Sequence, residues 1–98
     1  MIIRVVRMTF QEDRVNDFLA LFDEYKEAIR NQPGCTHLEL WKDIHQPNSY
    51  STFSHWNTEE DLNNYRYSET FGKVWPATKV LFSDKPVAYS HEQVVKIS

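Results

Sequence analysis

"CTHLELWKDIHQPNSYSTFSHW", residues 35–56, decides the fold. Its two ends, 35–42 and 50–56, alternate aromatic or β-branched residues with polar ones, and Pro47-Asn48 marks a turn between them. Centring that turn near Gln46 makes the numbers of facing residues sum to about 92. His37 then faces His55, Glu39 faces Phe53 and Trp41 faces Ser51, all on one side of the hairpin. Leu38, Leu40, Tyr50, Thr52, Ser54 and Trp56 project to the other side.

Upstream, residues 2–9 form another short apolar run. Ile2, Arg4, Val6 and Met8 share one face, and Ile3, Val5, Arg7 and Thr9 the other. Val15, Phe18, Leu19, Phe22, Tyr25 and Ile29 then recur at helical spacing. Glu12 and Asp13 at the start and Lys26 and Arg30 near the end suit the helix dipole, and "NQPG" (31–34) stops the helix. Downstream of the hairpin, Asn57 or Thr58 caps a second helix with Glu60 or Asp61 at the capping-box position, and Leu62 and Tyr65 form its apolar side. Ser68 caps a further turn carrying Phe71, Val74 and Trp75, after which Pro76 is expected to kink or restart the chain. Pro86–Val95 reads as the last strand. The order β-α-β-β-α-β is the split, ferredoxin-like α+β arrangement: an antiparallel four-stranded sheet with helices on one face. The bare face, bearing His37, Trp41, Phe53 and His55, calls for a second sheet and hence a homodimer.

Composition removes several functions. With 98 residues the chain makes one domain, 1–98, and buries roughly 60–70% of its unfolded surface. A net charge of −3 argues against nucleic acid as a partner. Two glycines leave no phosphate loop or dinucleotide fingerprint, and the N-terminal run is too short and too charged for a membrane span. The lone Cys35 fits a reducing cytoplasm and reads as a buried structural thiol. His37, His55 and Glu39 could be taken for a metal set, but no tight HxxxH or HxH spacing supports one. They read instead as hydrogen-bonded or interface residues of the sheet, with no metal expected.

The order of elements, "QPGC" before the second strand, and "HWNTEEDLNNY" and "SETF" after the third resemble the antibiotic biosynthesis monooxygenase family of dimeric α+β barrels. The resemblance covers residues 2–92. It implies a homodimer and a small aromatic ligand between sheet and helices. Members include cofactor-independent oxygenases of quinols and polycyclic phenols, haem-degrading enzymes and signal-degrading enzymes. The haem branch carries an Asn, a Trp and a His where this chain has Val6, Tyr65 and Trp75, so no haem, and no cofactor at all, is expected. The polyketide-oxidising branch keeps a Trp at the end of strand three, matched by Trp56. Its Asn and Tyr are replaced by Thr52 and Leu62.

The aromatics of 55–75 therefore have two readings, core and pocket wall, and both can hold. As a site, Trp56, Tyr65 and Trp75 wall a flat ring while Thr52, Ser54 or the Tyr65 hydroxyl holds its oxygen, with Trp56, Tyr65 and Thr52 as the catalytic set. The expected activity is cofactor-independent monooxygenation of a small phenolic or quinol-like molecule. The alternative is a non-catalytic ligand-binding or stress-response module of the same fold.

Overall fold

The computed structural model describes residues 1–98. The chain runs β1 (Ile2–Thr9), a 3-10 turn (Glu12–Arg14), α1 (Val15–Arg30), β2 (Cys35–Lys42), β3 (Ser49–Trp56), α2 (Glu59–Arg66), α3 (Glu69–Lys79) and β4 (Val87–Glu92). The sheet order is β2-β3-β1-β4 with every pair antiparallel, so the fold is α+β and ferredoxin-like. None of the helices is long and apolar enough to cross a membrane.

The hairpin register is the one its alternation dictates: His37 pairs with His55, Glu39 with Phe53 and Trp41 with Ser51. An irregularity between Cys35 and His37 then brings Cys35 opposite Trp56. The turn owes more to Asp43 than to Pro47. Oδ1 of Asp43 accepts from the backbone N–H groups of His45 and Gln46, and Oδ2 from Arg7. Those bonds, the one from His45 first, hold its carboxyl down at about 2.

Local chemistry sets where the helices stop and start. Gly34, at φ +83°, reverses the chain after α1. A Cβ there would also collide with the Asp61 carboxyl, so this position excludes other residues twice over. Thr58, rather than Asn57, caps α2 by accepting from the Asp61 N–H, and Ser68 caps α3 by accepting from Phe71.

Two expectations need correcting. Pro76 does not restart the chain, because α3 runs through it to Lys79. The carbonyl it leaves without a partner belongs to Gly72, four residues back on an exposed part of the helix, where water can take the bond. The last strand ends at Glu92, not Val95. Its only partner is β1, and Glu92 already pairs with Ile2, so the ladder has run out.

The core lies between the sheet and the helices in two parts. Met8, Phe10, Phe18, Tyr50 and Leu81 form the larger, with the Phe10 and Phe18 rings stacked at 4.1 Å. Cys35, Trp56 and Leu62 form the smaller, flanked by Tyr65. Space remains between the two parts.

Candidate functional site

That space is a cavity of about 300 Å³, at the small end of ligand-binding cavities. β1 and β3 supply its floor, because the alternation of each strand sends every second side chain toward the helices. Thr52, Ser54 and Trp56 project from β3, Tyr65 from α2 and Trp75 from α3, and all five line this one cavity. α1 closes the far side with Phe18 and Phe22.

Trp56 is both core and wall. It is 1% exposed, and its indole N–H donates to Ser54 Oγ at 2.9 Å, which satisfies the only polar atom of the ring. Its face stacks on Tyr65 at 5.1 Å and 20°. Tyr65 meets Phe71 edge-on at 5.2 Å, and Phe71 stacks on Trp75 at 5.7 Å. Four rings thus follow one another, Trp56 from the floor and the other three along the helical side of the cavity. Helical spacing explains the run: Phe71 and Trp75 are four apart on α3 and present the same side.

Burial, and then the neighbouring Cys35, push the Tyr65 phenol up to about 12. At any physiological pH it is a hydrogen-bond donor and no base. Tyr67, by contrast, stands clear of the site at 91% exposure. Cys35 is buried, and that burial raises its thiol, so it lacks the thiolate character a nucleophile needs.

The two charged lining residues escaped the sequence reading. Arg4 reaches the cavity from β1 and Arg66 from α2. A signal for the first was available: Arg4 alternates in step with Val6 and Met8, so a charge occupies an inward-facing strand position.

The opposite face carries the histidines. His37 pairs with Glu39, which also accepts from the Trp41 indole at 2.8 Å. The His37 and His55 rings lie 5.0 Å apart, and Trp41 stacks on Phe53 at 4.6 Å. No group of three or more His, Cys, Asp or Glu side chains is placed to hold a metal ion. These residues share no lining with the cavity.

Among proteins of known structure, one antibiotic biosynthesis monooxygenase superposes with a TM-score of 0.90 at 18% identity, covering 97% of this chain and 100% of its own. The Mycobacterium tuberculosis protein Rv0793 gives 0.90 at 15% identity, over 99% and 98% of the two chains. A conserved protein from Methanosarcina mazei Go1 gives 0.88 at 18%, over 95% and 93%. At such identities the likeness is one of fold, and it extends through β4. No curated protein matches the sequence. A model of the family described as antibiotic biosynthesis monooxygenase matches residues 1–75, which carry β1 through α2 and the first half of α3, and the chain belongs to that family.

Proposed function

We propose that this protein is a cofactor-independent monooxygenase of a small phenolic or quinol-like aromatic. The observation that carries the reading is the cavity itself, where stacked aromatic walls meet the hydroxyls of Thr52, Ser54 and Tyr65. Flat apolar walls select a ring, and a few hydroxyls fix its oxygen. Trp56, Tyr65 and Trp75 hold the ring. Tyr65, protonated, donates to the ring oxygen, and Thr52 can do the same from the floor.

The reaction suits such a site because the substrate supplies the electrons. A phenolate passes one electron to O₂, and the radical pair closes a C–O bond at a ring carbon, ortho or para to the oxygen, that still bears hydrogen. The peroxide takes back the proton the phenol lost and becomes a hydroperoxide. Loss of water, taking the hydrogen of that carbon, leaves a quinone carbonyl. One oxygen atom enters the product and the other departs as water. The walls exclude bulk water from the radical pair.

A second reading, a ligand-binding module without turnover, is favoured by one observation: no carboxylate or imidazole lines the cavity to act as a base. Oxygen consumption decides between them. With a hydroquinone panel, the enzyme consumes O₂ together with a saturable change in tryptophan fluorescence. Thr52→Val keeps the binding and loses most of the turnover. Saturable binding with no oxygen uptake in the parent protein would establish the module instead.

The assembly proposed is a homodimer closed through the outer sheet face that bears His37, Trp41, Phe53 and His55. Trp41 is 42% and Tyr89 59% exposed on that face, and a two-fold contact would cover both from each side. Light scattering should return twice the mass of a 98-residue chain. A reducing cytoplasm suits the unpaired Cys35.

A further inference from the structure

The charges around the cavity do not balance. Arg4 and Arg66 line it, and no Asp, Glu or His does, although the whole chain carries a net charge of −3. Neither arginine belongs to an ion pair of the fold; those pairs use Arg7, Arg14, Lys26, His37 and Lys73. Arg4 makes one side-chain hydrogen bond, from Nη1 to Ser90 Oγ at 3.0 Å, leaving most of its fork of N–H donors free. Arg66 sits in the last turn of α2, where a cation complements the helix dipole. Arg4 has no such role. It lies in the middle of β1, half-buried, with Ser54 across the ladder on one side and Ser90 on the other. Burial, and then the like charge of Arg66, push its guanidinium below the ordinary value. Two cations lining one apolar cavity, Arg4 half-buried and Arg66 exposed, with no acid beside them, favour an anion there.

We propose that Arg4 and Arg66 form the anion-binding end of this cavity, and that its ligand is a flat aromatic monoanion charged on a carboxylate or on a ring oxygen. This rests on the reading of the cavity as a site for a flat ring, and it narrows that ring to an acid. Guanidinium is the side chain best matched to a planar oxyanion, since it can donate two parallel hydrogen bonds. For a phenol the pair has a further consequence. Holding the phenolate lowers the pKa of the bound ligand, so the electron-rich anion forms without a protein base.

The test uses two matched pairs of probes: 2-naphthoate against 2-naphthamide, and 4-nitrophenol against nitrobenzene, each titrated by tryptophan fluorescence. Naphthoate should bind about tenfold or more tightly than the amide, the scale expected of a charge-assisted hydrogen bond. Arg66→Gln, on an exposed helix end, should abolish most of that preference, and Arg4→Met the rest, while the amide binds much as before. If the charge belongs on a ring oxygen, bound 4-nitrophenol shows its phenolate absorption at a pH where the free phenol is mostly neutral, and Arg66→Gln reverses this. A naphthoate preference without that spectral change assigns the charge to a carboxylate.

Equal affinity for naphthoate and naphthamide, with no phenolate signal, would overturn the proposal. So would a preference that survives in the double variant. The activity reading falls separately: anion preference without oxygen uptake leaves the anion site standing, and turnover of neutral hydroquinones without anion preference leaves only the oxygenase.

Discussion

The two faces of the sheet are built from similar residues and reach opposite results. On the outer face polar groups find one another, the buried Nε2 of His55 excepted. Glu39 takes the indole of Trp41 and the imidazole of His37, and Trp41 lies flat on Phe53. On the inner face Trp56 satisfies itself on Ser54, while two guanidiniums, Arg4 with a single bond to Ser90, and the hydroxyls of Thr52 and Tyr65 line the cavity. Residue type alone would place chemistry on the outer face, with its histidines and carboxylate. Pairing points instead to the inner one, where the proposed site has donors left over. Unspent hydrogen-bonding capacity is the better guide to a site.

The strongest test of this contrast is a tryptophan from each face. Trp56→Ala should cost about 3–5 kcal/mol in urea unfolding, because a fully buried ring leaves a hole the fold cannot refill. That is a large part of the roughly 5–15 kcal/mol that holds a small domain folded. Trp41→Ala should cost the folded chain far less, since the ring is 42% exposed, and act instead on the proposed homodimer, seen as a shift to monomer in light scattering. Equal losses for the two would mean that the faces do not differ in the way described.

Next in size is the alkaline limb. Tyr65 titrates near 10 when unfolded and at about 12 in the fold. A raised pKa contributes stability that is complete below pH 10 and is lost as pH rises through 12, about 2–3 kcal/mol in all. Urea midpoints of the parent protein should therefore fall above pH 10, and Tyr65→Phe should remove most of that slope. A parent curve as flat as the variant's would mean that the phenol is not buried in solution.

Ser54→Ala comes third. It leaves the indole N–H of Trp56 buried without an acceptor, at a cost of about 1–3 kcal/mol. Ser54→Thr, which keeps the hydroxyl, should recover much of it in the same unfolding measurement.

How much of this the chain declares depends on periodicity. The hairpin register was legible because a period of two and a marked turn leave one way to pair. Thr52, Ser54 and Trp56 followed from that register, and Tyr65 and Trp75 from helical spacing. The end of β4 was not legible: Gln93, Val94 and Val95 continue the alternation, and only the length of β1 shows that nothing is left to pair with them. Pro76 misled because its local rule ignores where the freed carbonyl points. Arg4 and Arg66 were missed because charge is read by default as solvent-facing, whereas their roles depend on which acids lie near, a three-dimensional fact.

The smallest effect expected belongs to His55 on the outer face. Its Nε2 is shut away from solvent without a partner, the one buried side-chain polar atom of the fold left so. Burial first, then the charges of His37 and Lys96, push its pKa down, against an opposing pull from Glu39. A depressed pKa means that the fold binds fewer protons than the unfolded chain. Stability is therefore whole above the unfolded value of about 6.5 and declines as pH falls below it, toward the folded value. Urea midpoints should drop modestly between pH 7.5 and 5.5, by less than Tyr65 moves them at the alkaline end. His55→Leu should flatten that slope, since an apolar side chain of similar size there has no proton to gain and no orphaned nitrogen. His37→Leu should also reduce the slope, by removing one of the charges that depress His55, but would leave the orphaned Nε2 in place. If the parent instead gains stability as pH falls from 7.5 to 5.5, protonated His55 has found a carboxylate, and Glu39 would be holding both imidazoles on a face whose polar groups pair even more fully than the geometry shows.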